Sequence, residues 1–252
     1  MTPTESFISH LIELRGRLLK IVLGFVVVFI ALFPFANKIY TLLATPMLAK
    51  LPVGSQMIAT AVTTPFFVPM KVAMMAAFVL SLPFTLYQVW AFVAPGLYPS
   101  EKKLAVPVIV MSCLLFVFGM AFAYFVVFPS VFGFIVGSAP QGVMVMTDIS
   151  EYLDFVLTLF MAFGLAFEVP ILVVLAVRFG WVTVAQLKEA RGYVIVGAFV
   201  LGAIFTPPDI ISQFMLAVPL WLLFELGLIA APYLQGKPAE NSDENTIHPN
   251  LE

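Results

Sequence analysis

Charges are rare along this chain, and the gaps between them are long. Leu18 to Phe35 is apolar apart from Lys20. Val72 to Pro95 and Leu104 to Phe128 carry no charge. Phe155 to Val177 holds one, Glu168. Two shorter runs follow, Val194 to Phe205 and Ile210 to Phe224, the second resuming after Glu225 as Leu226 to Ala231. A helix crosses the hydrocarbon core with about 20 mostly apolar residues. The pattern therefore predicts six membrane helices, about 18–36, 71–94, 104–128, 153–178, 193–206 and 210–231, the last two short. No run alternates apolar and polar residues as a barrel strand would. The predicted fold class is an all-α polytopic membrane protein.

Prolines punctuate the pattern. Pro207 and Pro208 separate the last two runs, because two prolines in succession do not continue a helix. Kinks are expected near Pro83, Pro170 and Pro219. The first run ends in Pro34-Phe35-Ala36-Asn37, without a small-x-small cleavage site, so it is expected to stay as a span. After it, Ile39, Leu42, Leu43, Met47, Leu48 and Leu51 keep near-helical spacing. They predict an amphipathic piece on the membrane surface.

Lysine and arginine set the orientation. With the N-terminus inside, nine of the twelve fall in cytoplasmic segments: Arg15, Arg17, Lys20, Lys102, Lys103, Arg178, Lys188, Arg191 and Lys237. Only Lys38, Lys50 and Lys71 fall outside. That bias places both termini in the cytoplasm. Residues 1–234 are read as one membrane domain, and 235–252 as a polar, disordered tail.

Composition narrows the function. Hydrophobic residues make up 62% of the 252, charged ones only 10%, and the mean hydropathy is +1.08. There is too little polar surface for a soluble globule. The net charge of -2 gives no basic excess for nucleic acid. Cys113 is the single cysteine, so neither an intrachain disulfide nor a cysteine-rich metal site is expected. His10 and His248 lie outside every predicted span, and no HExxH or GxxxxGK[ST] pattern occurs. The chain is read as a non-enzyme without cofactors.

A few acids then stand out. Glu168 falls inside a span, where an ionised carboxylate costs about 2.5–3.5 kcal/mol. It is either a polar point in a substrate groove or a structural bond between helices. Glu225 lies nearer a helix end and suits snorkelling. Asp209 is placed to cap the last helix. With Thr206 and Gln213 it forms a polar cluster able to bind other helices. Glu13 shares a helix face with His10 and Arg17, and pairs i,i+4 with Arg17 in the plainest reading. Glu101 opens the following helix beside Lys102 and Lys103.

Five stretches in order resemble the TatC family, the multispanning receptor subunits of the twin-arginine protein translocase. They are His10-Leu11-Ile12-Glu13-Leu14-Arg15, Tyr87-Gln88-Val89-Trp90-Ala91-Phe92-Val93-Ala94-Pro95, Gly119-Met120-Ala121-Phe122-Ala123-Tyr124-Phe125, Phe163-Gly164-Leu165-Ala166-Phe167-Glu168-Val169-Pro170 and Thr206-Pro207-Pro208-Asp209. The resemblance spans about residues 7 to 234. It implies a glove-shaped six-helix protein with a concave lateral face. It implies binding of twin-arginine signal peptides of folded precursors, in several copies, with single-span TatA and TatB partners. Transport is then driven by the proton motive force across the bacterial inner membrane.

Carried onto this chain, the resemblance puts Glu13 and Glu101 against the arginine pair, with Phe92 and Arg15 in the same surface. Glu168 becomes the polar group of the concave face. Pro46 and Phe66 belong to an outer cap. Thr206, Asp209 and Gln213 lie near the partner-helix sites. Lys38, Gly16 and the Lys102-Lys103 pair depart from the family's habit. Two rival readings remain at this stage: a proton-coupled secondary transporter using Glu168, and a membrane scaffold without a transported substrate.

Overall fold

A computed structural model describes residues 3–48, 57–93, 105–137, 146–205 and 210–234. The predicted disordered tail lies outside these residues. Among them the structure is helical, apart from one isolated bridge between Ile58 and Asp148.

Helix α1 runs Pro3–Leu32, and a 3-10 turn at Phe33–Phe35 joins it to α2, Ala36–Leu48. Pro34 lies in the first positions of that turn, where its missing N–H costs least. Then come α3, Thr64–Val93, and α4, Ala105–Phe122. A π turn over Ala123–Val127 leads into α5, Phe128–Gly137. Helices α6, Ile149–Phe167, and α7, Val169–Arg178, meet at Glu168. The short α8, Val184–Glu189, precedes α9, Arg191–Phe205, and α10, Ile210–Leu234.

Five of these stretches are long and apolar enough to cross a membrane, and α9, with 15 residues, is a shorter apolar helix. Much of α1 has its apolar side chains bare, with Leu23 66% and Ile30 65% exposed. That is the surface a helix offers to lipid rather than to water.

Several predicted boundaries move. The first helix begins at Pro3, not near Leu18, because the amphipathic N-terminal segment continues into the span without a breaker. The third span does not stop at Phe128. A π turn lies just ahead of Pro129, which has no N–H to give the ladder, and the helix continues to Gly137. Of the two helices expected to be short, α9 is short, but α10 has 25 residues. Its apolar run is interrupted by Glu225, and that side chain is matched by Arg191 of α9 at 2.7 Å, so the helix carries on. Helix α2 covers Ile39 to Leu48 of the stretch expected after the first span, and Leu51 lies outside the described residues.

Proline acts unevenly. Helices α3 and α10 run without a break through Pro83 and Pro219. The break falls at Glu168, two residues before Pro170.

Neighbouring helices pack antiparallel. Residues 10, 17 and 24 of α1 meet 92, 88 and 84 of α3. Residues 116 and 119 of α4 meet 164 and 163 of α6. Gly119 sits so close that an added Cβ would lie 2.5 Å from the Phe163 carbonyl oxygen. Lipid tails are as apolar as side chains, so such close backbone approach is a main source of helix association. An aromatic core of Phe128, Phe132, Tyr152, Phe160 and Phe163 fills the junction beyond it. Two tyrosines tie α2 to this core. Tyr124 Oη donates to Leu42 O at 2.8 Å and Tyr152 Oη to Leu43 O at 2.7 Å.

At the end away from the N-terminus, Asp148 joins two loops. Its carboxylate accepts from the Ser150 and Glu151 amides, capping α6. It also accepts from Thr60 N at 3.0 Å and Thr60 Oγ1 at 2.6 Å. Main-chain bonds Ile58 N to Thr147 O, 3.0 Å, and Ile149 N to Ile58 O, 2.9 Å, complete the staple. The Thr60 hydroxyl bond, with the backbone bonds, holds the Asp148 carboxyl below its ordinary value. A depressed carboxyl pKa stabilises above the unfolded value and loses that contribution as pH falls through the folded one. Amide protection at Ile58 and Ile149 is therefore expected to hold at neutral pH and to weaken below about pH 4. Hydrogen exchange, corrected for intrinsic rates, checks this, and unchanged protection at pH 3 would contradict it.

Candidate functional site

The N-terminal end of the α1–α3 pair gathers the polar residues singled out in the sequence. One helical turn separates Glu13 from Arg17, and the two pair: Arg17 Nη2 to Glu13 Oε1 is 2.6 Å and Nε to the same oxygen is 3.0 Å. Arg17 Nη1 also reaches Gln88 Oε1 of α3 at 3.4 Å, a long contact. Gln88 is buried. One turn toward the N-terminus, the His10 ring stacks on Phe92, with centroids 4.2 Å apart and planes 22° apart. The antiparallel register thus makes one continuous surface from two distant sequence segments.

The i,i+4 pair expected of Glu13 is present. It engages one oxygen of Glu13 and leaves the other available. The side chains of Arg17 and Glu13 are 22% and 35% exposed, so the carboxylate opens to one side. Arg15 is exposed and has no side-chain partner among the described residues. Glu101 lies outside the described residues.

Glu168 is half-buried at the α6–α7 break. The Ser112 hydroxyl of α4 is within hydrogen-bonding reach of its carboxyl. Glu168 therefore stands at a helix break and also links two helices.

The remaining predicted residues are dispersed. Pro46 is in the last turns of α2. Phe66 is in the first turn of α3, 60% exposed and edge-on to Phe67 with centroids 5.3 Å apart. Thr206 and Asp209 lie outside the described residues. Gln213 does not display its amide on a free surface: Nε2 donates to Phe199 O of α9 at 2.9 Å, and Gly202 packs against it. It fastens the last helical hairpin.

Sequence reading passed over two polar features of the opposite end. One is the Thr60–Asp148 staple; the Asp148-Ile149-Ser150-Glu151 capping pattern was visible, but its distant partner was not. The other is Lys71 of α3, bound to both oxygens of Asp154 of α6 at 2.6 and 2.8 Å. Among the described residues, no group of His, Cys, Asp and Glu could hold a metal ion.

A family model described as Sec-independent protein translocase protein (TatC) matches residues 9–219. The chain belongs to the TatC family. The TatC protein of Escherichia coli K12 is 53% identical over 234 residues, covering 93% of this chain and 91% of its own. That of Azotobacter chroococcum is 55% identical over 221 residues, covering 88% and 87%. A crystal structure of a twin-arginine translocase receptor TatC superposes with a TM-score of 0.78 at 36% identity, covering 90% of this chain and all of that one. This TatC family member is thus a multi-pass membrane protein and a component of a protein translocase.

Proposed function

We propose that this TatC family member receives twin-arginine signal peptides of folded precursors on the Glu13–Arg17–Gln88 and His10–Phe92 surface. The observation that supports it best is the half-open carboxylate of Glu13, held by Arg17, which also reaches Gln88, beside an aromatic stack. An incoming guanidinium can direct two of its forked donors to the remaining oxygen, as Arg17 does to the first, and lysine cannot copy that geometry. Glu101 supplies the second carboxylate, so that each arginine of the pair has an acid. Arg15 and Phe92 edge the same site.

In this reading residues 1–234 form one six-span domain, with α9 completing the count, and 235–252 a cytoplasmic tail. Both termini are cytoplasmic, in the bacterial inner membrane, as the lysine and arginine bias supports. Pro46 and Phe66 belong to the cap on the outer face. Thr206, Asp209 and Gln213 lie near the sites for the single-span partners TatA and TatB. Several copies assemble, a concave face carries Glu168, and the proton motive force drives export.

Site-specific photocrosslinking at positions neighbouring Glu13 and Glu101 tests the receptor reading. Precursors with Arg-Arg signals should crosslink, and Lys-Lys variants should not. Equal crosslinking would overturn the assignment in favour of a scaffold that ignores the signal.

The rival proton-coupled transporter would also use Glu168. Glu168→Gln keeps the reach to Ser112 but removes the charge. Export is expected to weaken while signal crosslinking stays. Full export by the variant would return Glu168 to a purely structural role.

A further inference from the structure

The end away from the N-terminus holds a cavity of about 560 Å³ that the receptor reading does not use. It lies between the beginnings of α3 and α6, and Thr60, Thr64, Phe67, Lys71, Ser150 and Glu151 are among its lining. The two helices begin side by side, with Val68 and Val72 of one packed with Leu153 of the other.

Depth decides what can enter. Helices α6 and α7 together cover Ile149–Arg178, 30 residues. At 1.5 Å per residue this is about 45 Å, longer than the ~30 Å hydrocarbon core. The excess of about 15 Å leaves room for ends outside the core, and the charged first turns of α6, with Glu151 and Asp154, suit the headgroup layer. Lys71, bound to Asp154, stands with them. From Thr64 to Lys71 the cavity wall descends about 10 Å along α3, comparable to one headgroup layer.

Polarity changes along the same furrow. At the top are threonines, Ser150, Glu151 and the Lys71–Asp154 pair. Phe67 of the lining is 45% exposed, and Met74, one turn below Lys71 on α3, is 42% exposed. A polar pocket with exposed apolar side chains beside and below it suits a phospholipid.

The charges choose the headgroup. Asp148 is occupied by Thr60 and by the start of α6. That leaves one cation, Lys71, and two acids, Asp154 and Glu151. Asp154 is taken up by Lys71, whereas the Glu151 carboxylate has no partner among the described residues. An ammonium has three donors, so Lys71 retains capacity beside its two contacts. The site therefore asks for a ligand that brings an anion to Lys71 and a hydrogen-bonding cation to Glu151. An anionic headgroup brings only the first. A choline headgroup brings a cation without an N–H.

We propose that this furrow binds one phospholipid with a phosphoethanolamine headgroup, its phosphate on Lys71 and its ammonium on Glu151.

Native mass spectrometry of the full chain in detergent tests it, with an equimolar mixture of phosphatidylethanolamine, phosphatidylcholine and phosphatidylglycerol of identical acyl chains. Retention of the ethanolamine lipid is expected to exceed that of the choline lipid about tenfold, the factor of one charge-assisted hydrogen bond. Glu151→Gln should bring that ratio down to about three, since the bond to a charged partner is the stronger by about twofold. Lys71→Ala should lower retention of both lipids, because both carry phosphate. Equal retention in the wild type, preference for phosphatidylglycerol, or an unchanged ratio in Glu151→Gln would each overturn the proposal. Soluble phosphoethanolamine binding as well as the lipid would overturn it too, by assigning the site to a small molecule. Glu151 is exposed, so its variant keeps the fold, and the ratio remains readable even where Lys71→Ala does not fold. Lipid retention involves no signal peptide, so its failure leaves the receptor reading standing.

Discussion

Gly119→Ala is expected to be the most damaging single methyl group in this protein. The new Cβ would stand 2.5 Å from the Phe163 carbonyl oxygen, 3.0 Å from its carbon and 3.0 Å from the Phe167 ring. Two of those three atoms belong to backbone, so no rotamer change clears them. Helices α4 and α6 must move apart. That separation loosens Phe122 from Phe163 and Phe167, now 5.6 and 5.7 Å away between centroids, and moves Ser112 from Glu168. Overpacking costs about 1–3 kcal/mol and sometimes more. In a membrane no hydrophobic drive compensates, because the helices separate into a solvent as apolar as their own faces. The melting midpoint in a fixed detergent should fall by several degrees. Gly133→Ala is the control. Nothing lies within 4 Å of its added Cβ, and alanine is the better helix former by about 1 kcal/mol. It should melt at or above the wild-type midpoint. A Gly119→Ala midpoint equal to that of Gly133→Ala would refute the close-packing account.

Glu13→Gln should carry the largest functional effect. The variant keeps an acceptor oxygen for Arg17 but loses the charge that a signal arginine would meet. Hydrogen bonds to charged groups contribute about 1.5–3 kcal/mol. Affinity for an Arg-Arg signal should fall roughly ten- to hundredfold. Stability should hardly change, since a partly exposed i,i+4 pair contributes about 0.3–0.5 kcal/mol. The same substitution thereby separates a binding role from a structural one. Fluorescence titration with a labelled signal peptide reads the first, and the melting midpoint reads the second. Unchanged affinity, or a loss of affinity matched by a large loss of stability, would place Glu13 in the scaffold.

Arg17 sharpens this expectation. It already holds Glu13 through two donors on a single oxygen. An incoming guanidinium can take the other oxygen without displacing Arg17. The Arg17 contact to Gln88 then keeps the carboxylate turned toward α3, beside the stacked rings of His10 and Phe92. Pre-placement of this kind lowers the ordering cost of binding.

How much of this was legible beforehand depends on the range of the interaction. The Glu13–Arg17 pair follows from spacing alone, because residues four apart share a helix face. The break near Pro170 follows from a missing N–H. Nothing local reports that Gln88, 71 positions away, meets Arg17, or that Thr60 meets Asp148 across 88 positions. The span predicted at 210–231 already runs through Glu225, and α10 ends three residues later, at Leu234. What no local pattern shows is that Arg191, 34 positions upstream, matches that glutamate. For Gln213, polarity suggested a hydrogen bond to another helix, but not that the acceptor would be the Phe199 carbonyl of α9.

By itself, then, the sequence determined the membrane class, the helical state, the approximate spans and the short-range pairs. Each depends on composition or on neighbours within one or two turns, and the bilayer admits no other use for such apolar runs. Tertiary structure alone decided which acids are open and which are occupied. Glu13 is half open, Asp148 and Asp154 are taken, Glu225 is matched, and Glu151 is left on a furrow. A carboxylate's availability depends on the donor that stands opposite it, and in a helical bundle that donor comes from another helix, at a depth that antiparallel register sets.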